Sequence, residues 1–357
     1  MWRTRLVLAL ALLATLMETG SVAWAARPLP HDFFGIVPQG PLLRSDFDRM
    51  SGVVGTLRIP VSWSEVEPQA GEYRFAALDE TVAGAAAAGV RILPFVYSTP
   101  PWLSADPARP PIGTPAAKQA WTGFLRLLVR RYGPHGALWQ GRKARLPIRQ
   151  WQIWNEPNFV LFWKPRPSPQ GYALLLRISS RAVRAEDSRA QVVTAGVAPV
   201  EAGMTPWSFL RRMYRVPGVR RDFDLVGLHP YAPHVGWIAE EVQLVRRAMK
   251  DAGDGSRPLL LTEVGVASAG TYPNAFDKGL HGQASFLRRA FRLLLSRRRT
   301  WHLAGVDWFT WQDGSAADPH CVFCEFGGLF DVGGAPKPAW WAFRRVVVRA
   351  TSGNHVR

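Results

Sequence analysis

Ile148-Arg149-Gln150-Trp151-Gln152-Ile153-Trp154-Asn155-Glu156-Pro157-Asn158 is the stretch from which the fold is read. It begins as an apolar run suited to a buried strand and breaks at Asn155-Glu156-Pro157-Asn158. Pro157 has no backbone N–H to donate and cannot continue a central strand. A carboxylate is therefore expected where a buried strand gives way to a loop. Burial there is costly unless the group is partnered or kept neutral by a raised pKa. Taken alone, such a glutamate could cap a helix or pair with an arginine. The surrounding Trp-Asn-Glu-Pro-Asn and a second carboxylate further along count against that reading.

Working outward, short apolar runs alternate with helical patterns. The expected strands are Phe33–Val37, Thr56–Pro60, Val90–Tyr97, the Glu156 strand, Gln191–Gly196, Asp224–His229, Pro258–Glu263 and Gly305–Trp311. Helices are expected over Leu78–Ala88 (stopped by Gly89), Ala117–Tyr132, Tyr172–Ala185, Pro206–Met213, Ile238–Ala252 and Gln283–Arg297, with a last one starting near Pro338. Trp121, Phe124, Leu125, Leu128 and Val129 recur at helical spacing and read as core. The strands lack polar alternation, as in a parallel sheet buried on both faces. About eight such units in one uninterrupted domain point to an α/β fold, a single-domain (β/α)8 TIM barrel over residues 26–357. No Gly-x-Gly-x-x-Gly follows a strand, so a dinucleotide fold lacks its signature.

The chain opens with Arg3 and Arg5, an apolar run from Leu6 to Leu16, and Ala23-Trp24-Ala25. That is the pattern of a signal peptide at residues 1–25, cleaved after Ala25, with an uncleaved anchor as the alternative reading, and it implies a secreted or periplasmic, envelope-facing protein. No later stretch is apolar enough to span a membrane. The formal charge is +17, from 44 basic and 27 acidic residues, and it is dominated by arginine. Composition bias on a solvated surface explains it as well as attraction to an anionic envelope polymer does. No nucleic-acid signature accompanies the charge, so no nucleic-acid partner is expected. The two cysteines, Cys321 and Cys324, lack the further ligands of a zinc site and lie in a Pro/Asp/Gly-rich loop. A small structural disulfide is expected of them.

Barrels of this kind carry functional groups at the C-terminal ends of their strands. Those ends read Arg58, Ser98, Asn155 with Glu156, His229 with Tyr231, Glu263, and Trp311. Two carboxyl groups facing each other across a cleft suit glycosidic bond cleavage, one protonating the leaving oxygen and the other attacking carbon or activating water. Arg58 would keep one carboxylate ionised, and Trp311 would offer a flat face to a sugar ring. Arg58 as a buried structural ion-pair partner and His229 as a core histidine are the plainer alternatives.

The sequence resembles the retaining glycoside hydrolases of clan A over most of the chain. Trp154–Asn158 and Leu261-Thr262-Glu263 carry the resemblance. Arg58-Ile59-Pro60-Val61-Ser62-Trp63, His229-Pro230-Tyr231, Trp308–Trp311, Gly328–Asp331 and Pro336–Ala339 support it. Trp154–Asn158 with Phe162-Trp163 looks like family 39, whereas the Arg58 segment and His229-Pro230-Tyr231 look like family 5. The resemblance implies Glu156 as general acid/base, Glu263 as nucleophile and Asn155 on the sugar 2-hydroxyl. Arg58 and Tyr231 would support the nucleophile, and His229 and Trp311 would shape the subsite. It implies a poly- or oligosaccharide substrate and no cofactor or metal. A transglycosylase, or a non-catalytic carbohydrate-binding protein on the same barrel, shares the pattern.

Overall fold

A computed structural model of the protein describes residues 28–270, 274–314, 321 and 323–352. The expected signal segment, residues 1–25, lies outside them. The apolar runs form eight parallel strands: β1 (Phe34–Val37), β2 (Thr56–Ser62), β3 (Arg91–Tyr97), β4 (Gln150–Ile153), β5 (Gln191–Thr194), β6 (Val226–Leu228), β7 (Leu259–Val264) and β8 (Leu303–Phe309). Helices α1 (Arg44–Met50), α2 (Trp63–Val66), α3 (Ala76–Ala87), α4 (Pro115–Tyr132), α5 (Pro169–Glu186), α6 (Pro206–Tyr214), α7 (Val235–Asp251), α8 (Gly279–Arg297) and α9 (Pro338–Thr351) lie between and after them. Strand order runs β5-β4-β3-β2-β1-β8-β7-β6, and the pairing of β1 with β8 turns the sheet into a barrel. No helix among the described residues is long and apolar enough to cross a membrane.

The ring is thinnest between β5 and β6, which meet only through the isolated bridges Val193–Leu225 and Val197–Leu228. Side chains stitch this seam. The Thr194 hydroxyl accepts the Gly227 N–H at 2.9 Å, while the Thr194 carbonyl is taken by Gln152 Nε2 at 2.9 Å. Above them the His229 N–H reaches the Val197 carbonyl at 2.9 Å.

Local chemistry sets the elements. Thr114 and Ser168 cap α4 and α5 by accepting the Ala117 and Gly171 N–H groups, each cap followed by a proline at the first helical position. The expected stripe on α4 is buried. Leu93, Val193, Leu225 and Leu260 form a small apolar layer inside the barrel, on the same face as Arg58, which is paired with Leu93. The barrel's outer face packs on the helices in one large core.

Two expectations need correction. Strand β2 does not stop at Pro60 but runs on to Ser62, because one missing N–H leaves the flanking pairings to β3 intact. Arg58 is thus mid-strand inside the barrel, and only its side chain extends toward the mouth. Helix α1 is not anticipated in the sequence, since Phe47 and Met50 are its only apolar anchors among charged neighbours. Its start is fixed by Asp46, whose carboxylate accepts the Leu43 N–H at 2.8 Å.

Candidate active site

Glu156 follows β4 through an unusual backbone path. Trp154 (φ 73°) and Glu156 (φ 37°) both lie in the left-handed region, which non-glycine residues rarely adopt. The path holds because Trp154 is locked: its indole donates to the Phe162 carbonyl at 2.6 Å and packs on Trp121 and Trp163. Asn158 ties the following loop down by donating to the Ala198 and Met204 carbonyls, both at 2.7 Å. Glu263 sits near the end of β7, at the same mouth. An oxygen of each carboxyl and a nitrogen of His229 lie within 4.8 Å of one another.

Arg58, fully buried, organises one side of the pair. Its guanidinium donates to Glu263 Oε1 at 2.5 Å, to Asn155 Oδ1 at 2.9 Å and to Gln152 Oε1 at 2.6 Å. The Phe95 ring lies 3.9 Å below it. The Tyr231 hydroxyl donates to the other Glu263 oxygen at 2.5 Å. On the opposite side, His229 Nδ1 is 2.7 Å from Glu156 Oε1 and 3.5 Å from Glu263 Oε2. Gly196 permits this: a Cβ there would stand 1.9 Å from His229 Nε2, which has no hydrogen-bond partner among the described residues.

Burial drives the protonation pattern. Glu156 is pushed well above the usual carboxylate range by burial and then by the neighbouring Glu263 charge, with Arg58 opposing. Burial also raises Glu263, but the Arg58 charge and the hydrogen bonds from Tyr231 and Arg58 pull it back. The shared negative charge of the pair therefore rests on Glu263, and the proton on Glu156. Burial, reinforced by Arg58, holds His229 far below its ordinary value, so the imidazole is neutral. A third carboxyl, Asp307 on β8, is buried against Gly35 and pushed well above its range, mainly by burial.

The mouth thus gathers Arg58, Asn155, Glu156, His229, Tyr231 and Glu263. Trp311 is a correction. It is 2% exposed, with its ring packed against Phe330 and Trp340 at 4.5 and 5.6 Å, so it is spent on core packing rather than offered to a ligand. The aromatic at the end of β8 that reaches this group is Phe309, 6.0 Å from the Tyr231 ring. Ser98 bonds Ser64 at 2.7 Å and touches neither carboxylate. Gln152, Asp307 and Phe309 are not singled out in the sequence. Gln152 had a signal, as a polar residue inside an apolar strand.

Glu156, His229 and Glu263 are the one metal-like trio among the described residues. Both Glu263 oxygens are already engaged by Arg58 and Tyr231, and the fixed guanidinium charge opposes a cation beside it. The chemistry of this donor set is that of an acid and a base rather than of a metal cage. The expected structural disulfide, Cys321–Cys324, is formed. Its loop presents Phe323, whose ring is 4.7 Å from both Tyr231 and Phe276.

No family model matches the chain, and no curated protein matches it in sequence. Solved structures do match. A family 39 glycoside hydrolase from Bacteroides cellulosilyticus WH2 superposes with a TM-score of 0.67 at 19% identity, over 92% of this chain and 65% of that one. A monomeric β-xylosidase from Caulobacter crescentus CB15 gives 0.64 at 19%, over 90% and 69%. GH5_18 from Bifidobacterium longum subsp. longum, solved in complex with Manβ1-4GlcNAc, gives 0.67 at 16%, over 89% and 78%. At these identities the likeness establishes the barrel. This chain spans about two thirds of the length of the first two.

Proposed function

We propose that this chain is a retaining glycoside hydrolase of the clan A type that cleaves O-glycosidic bonds within, or at the end of, a poly- or oligosaccharide. The observation that carries the reading is the pair itself: two carboxyls at one mouth of the barrel, one just after β4 and one near the end of β7, with oxygens within 4.8 Å and unequal surroundings. Retaining glycosidases hold their carboxyls about 5–5.5 Å apart, whereas inverting ones need about 6.5–9.5 Å to admit a water. The environments divide the labour. Glu156, protonated and steadied by neutral His229, gives its proton to the leaving oxygen. Glu263, kept ionised by Arg58 and Tyr231, attacks the anomeric carbon and forms a glycosyl-enzyme. Glu156, now a base, then draws a proton from the water that hydrolyses it. The Asn155 carbonyl is occupied by Arg58, which orients its amide as the donor to a sugar 2-hydroxyl. The barrel neighbours, among them a β-xylosidase and a family 39 glycoside hydrolase, support the same class. Export with removal of residues 1–25, and work outside the inner membrane, complete the proposal. Proton NMR of the first product anomer tests it. Retained configuration is expected, and an initially inverted product would overturn the double displacement.

A further inference from the structure

A second cavity opens on the same end of the barrel, between the loops that follow β3 and β4, with a volume of about 530 Å³. That is within the range of small-ligand sites, roughly 300–1,000 Å³. Its wall is apolar where Leu103, Ile112 and Trp163 line it, and Trp163 is almost fully buried, so this side is fixed. Arg109, Lys164 and Arg166 reach it from the two loops. Arg109 and Arg166 are exposed, Lys164 is half-buried, and none of the three has a carboxylate partner among the described residues. Among the described residues, no Asp or Glu lines the cavity.

The contrast with the rest of the surface matters, because a chain with this charge has unpaired cations elsewhere. Another cavity, of about 400 Å³, is lined by Asp79 and Arg131, which pair with each other. Here the cations converge on an apolar wall without a counter-charge. A cleft lined by one sign of charge focuses the field and concentrates ligands of the opposite sign. Arginine in particular matches the planar geometry of carboxylate and sulfate oxygens. The cavity is also joined to the carboxyl pair through the backbone. The Phe159 N–H donates to the Glu156 carbonyl at 2.9 Å and the Trp163 N–H to the Phe159 carbonyl at 3.0 Å, so the turn that carries Trp163 starts at Glu156.

We propose that this cleft is a binding subsite for an anionic sugar unit, so that the saccharide bound across the carboxyl pair carries carboxylate or sulfate groups. The apolar wall takes the C–H face of the ring, and Arg109, Lys164 and Arg166 take the acidic substituent. The proposal rests on the glycosidase reading for its substrate, while the binding site itself is independent of hydrolysis.

The test is binding to the full chain at low ionic strength by calorimetry. The probes are cello-oligosaccharides, the same oligosaccharides oxidised at C6 to glucuronates, and the same sulfated at C6. At least one charged form should bind about tenfold tighter than the neutral one, three exposed charge contacts being of that order together. A preference for the oxidised form identifies a uronate, and one for the sulfated form identifies a sulfate ester. The triple change Arg109→Gln, Lys164→Gln, Arg166→Gln should abolish the preference. Arg166→Gln alone should reduce it, with an unchanged melting temperature since its side chain is exposed and unpaired. Arg288→Gln, Arg289→Gln, Arg292→Gln, on the outer face of α8, should leave it intact. Equal or unmeasurable binding of charged and neutral forms overturns the subsite, as does equal loss in the α8 control. Hydrolysis of neutral aryl glycosides is scored separately. Hydrolysis without a charge preference removes the subsite alone, and a preference without any hydrolysis removes the glycosidase reading alone.

Discussion

Arg58 contacts both the residue before Glu156 and Glu263 itself, and this makes the two glutamates separable by substitution. Glu263→Ala should abolish turnover, with partial rescue by azide as a replacement nucleophile. Glu156→Ala should cost about 10²–10⁴-fold on natural substrates and far less on aryl glycosides whose leaving group needs no proton. Near-normal turnover by Glu263→Ala on a true substrate would remove it as the nucleophile. The pH dependence has a defined sign. Activity needs Glu263 ionised and Glu156 protonated, so kcat/KM should be bell-shaped with both limbs above the range of exposed carboxylates. Arg58→Met should move the acid limb upward and narrow the bell; an unmoved acid limb would dissociate Arg58 from Glu263. Stability follows the same logic. The folded-state pKa of Glu156 lies above its unfolded value, so its contribution is complete below the unfolded pKa and is lost as pH rises through the folded one. Glu156→Gln should therefore gain melting temperature relative to the parent as pH rises above the ordinary carboxylate range, and a pH-independent difference would contradict the buried acid. At this scale the sequence exposed Glu156 and Glu263, because carboxylates where apolar strands end are conspicuous. It hid Asp307 and Phe309, which matter only through what a neighbouring strand brings opposite them.

Among the elements, the loop after β8 has the most to say about the site. The Cys321–Cys324 bridge closes a loop that sets Phe323 on Tyr231, and Tyr231 holds Glu263. A bridge across so short a loop adds only about 2 kcal/mol in the chain-entropy view. Cys321→Ser with Cys324→Ser should thus lower the unfolding free energy modestly, measured by denaturant titration, while reducing kcat/KM severalfold. A loss of stability with unchanged kinetics would show the loop to be purely structural. Strands and long helices were legible from continuity and periodicity. Boundaries were not: β2 runs past Pro60 and β8 stops at Phe309, since pairing partners rather than local composition decide where a ladder ends. The aromatic stripe on α4 was read correctly because nothing competes with a strong 3.6-residue period.

For the molecule as a whole, the closed topology was legible from the count of alternating units, while the net charge carried no information about the fold. The excess of arginine leads to a separate expectation, that the surface holds the protein to acidic envelope material. Exposed contacts of this kind are screened as the Debye length falls from about 10 Å at 0.1 M to about 3 Å at 1 M salt. Retention on purified envelopes should drop steeply over that range while hydrolysis of a small neutral glycoside barely changes, and salt-independent retention would refute it. The seam between β5 and β6 has a different consequence. Glu156 stands on one side of it and His229 on the other, with the His229 N–H bond to Val197 crossing between them. A barrel opens locally where its ladder is weakest. The amides at 194–197 and 225–229 should then exchange with solvent ahead of the other strands. Each such opening parts the acid from its imidazole, so the breathing of one joint in the ring becomes a clock on how long the proton donor stays armed.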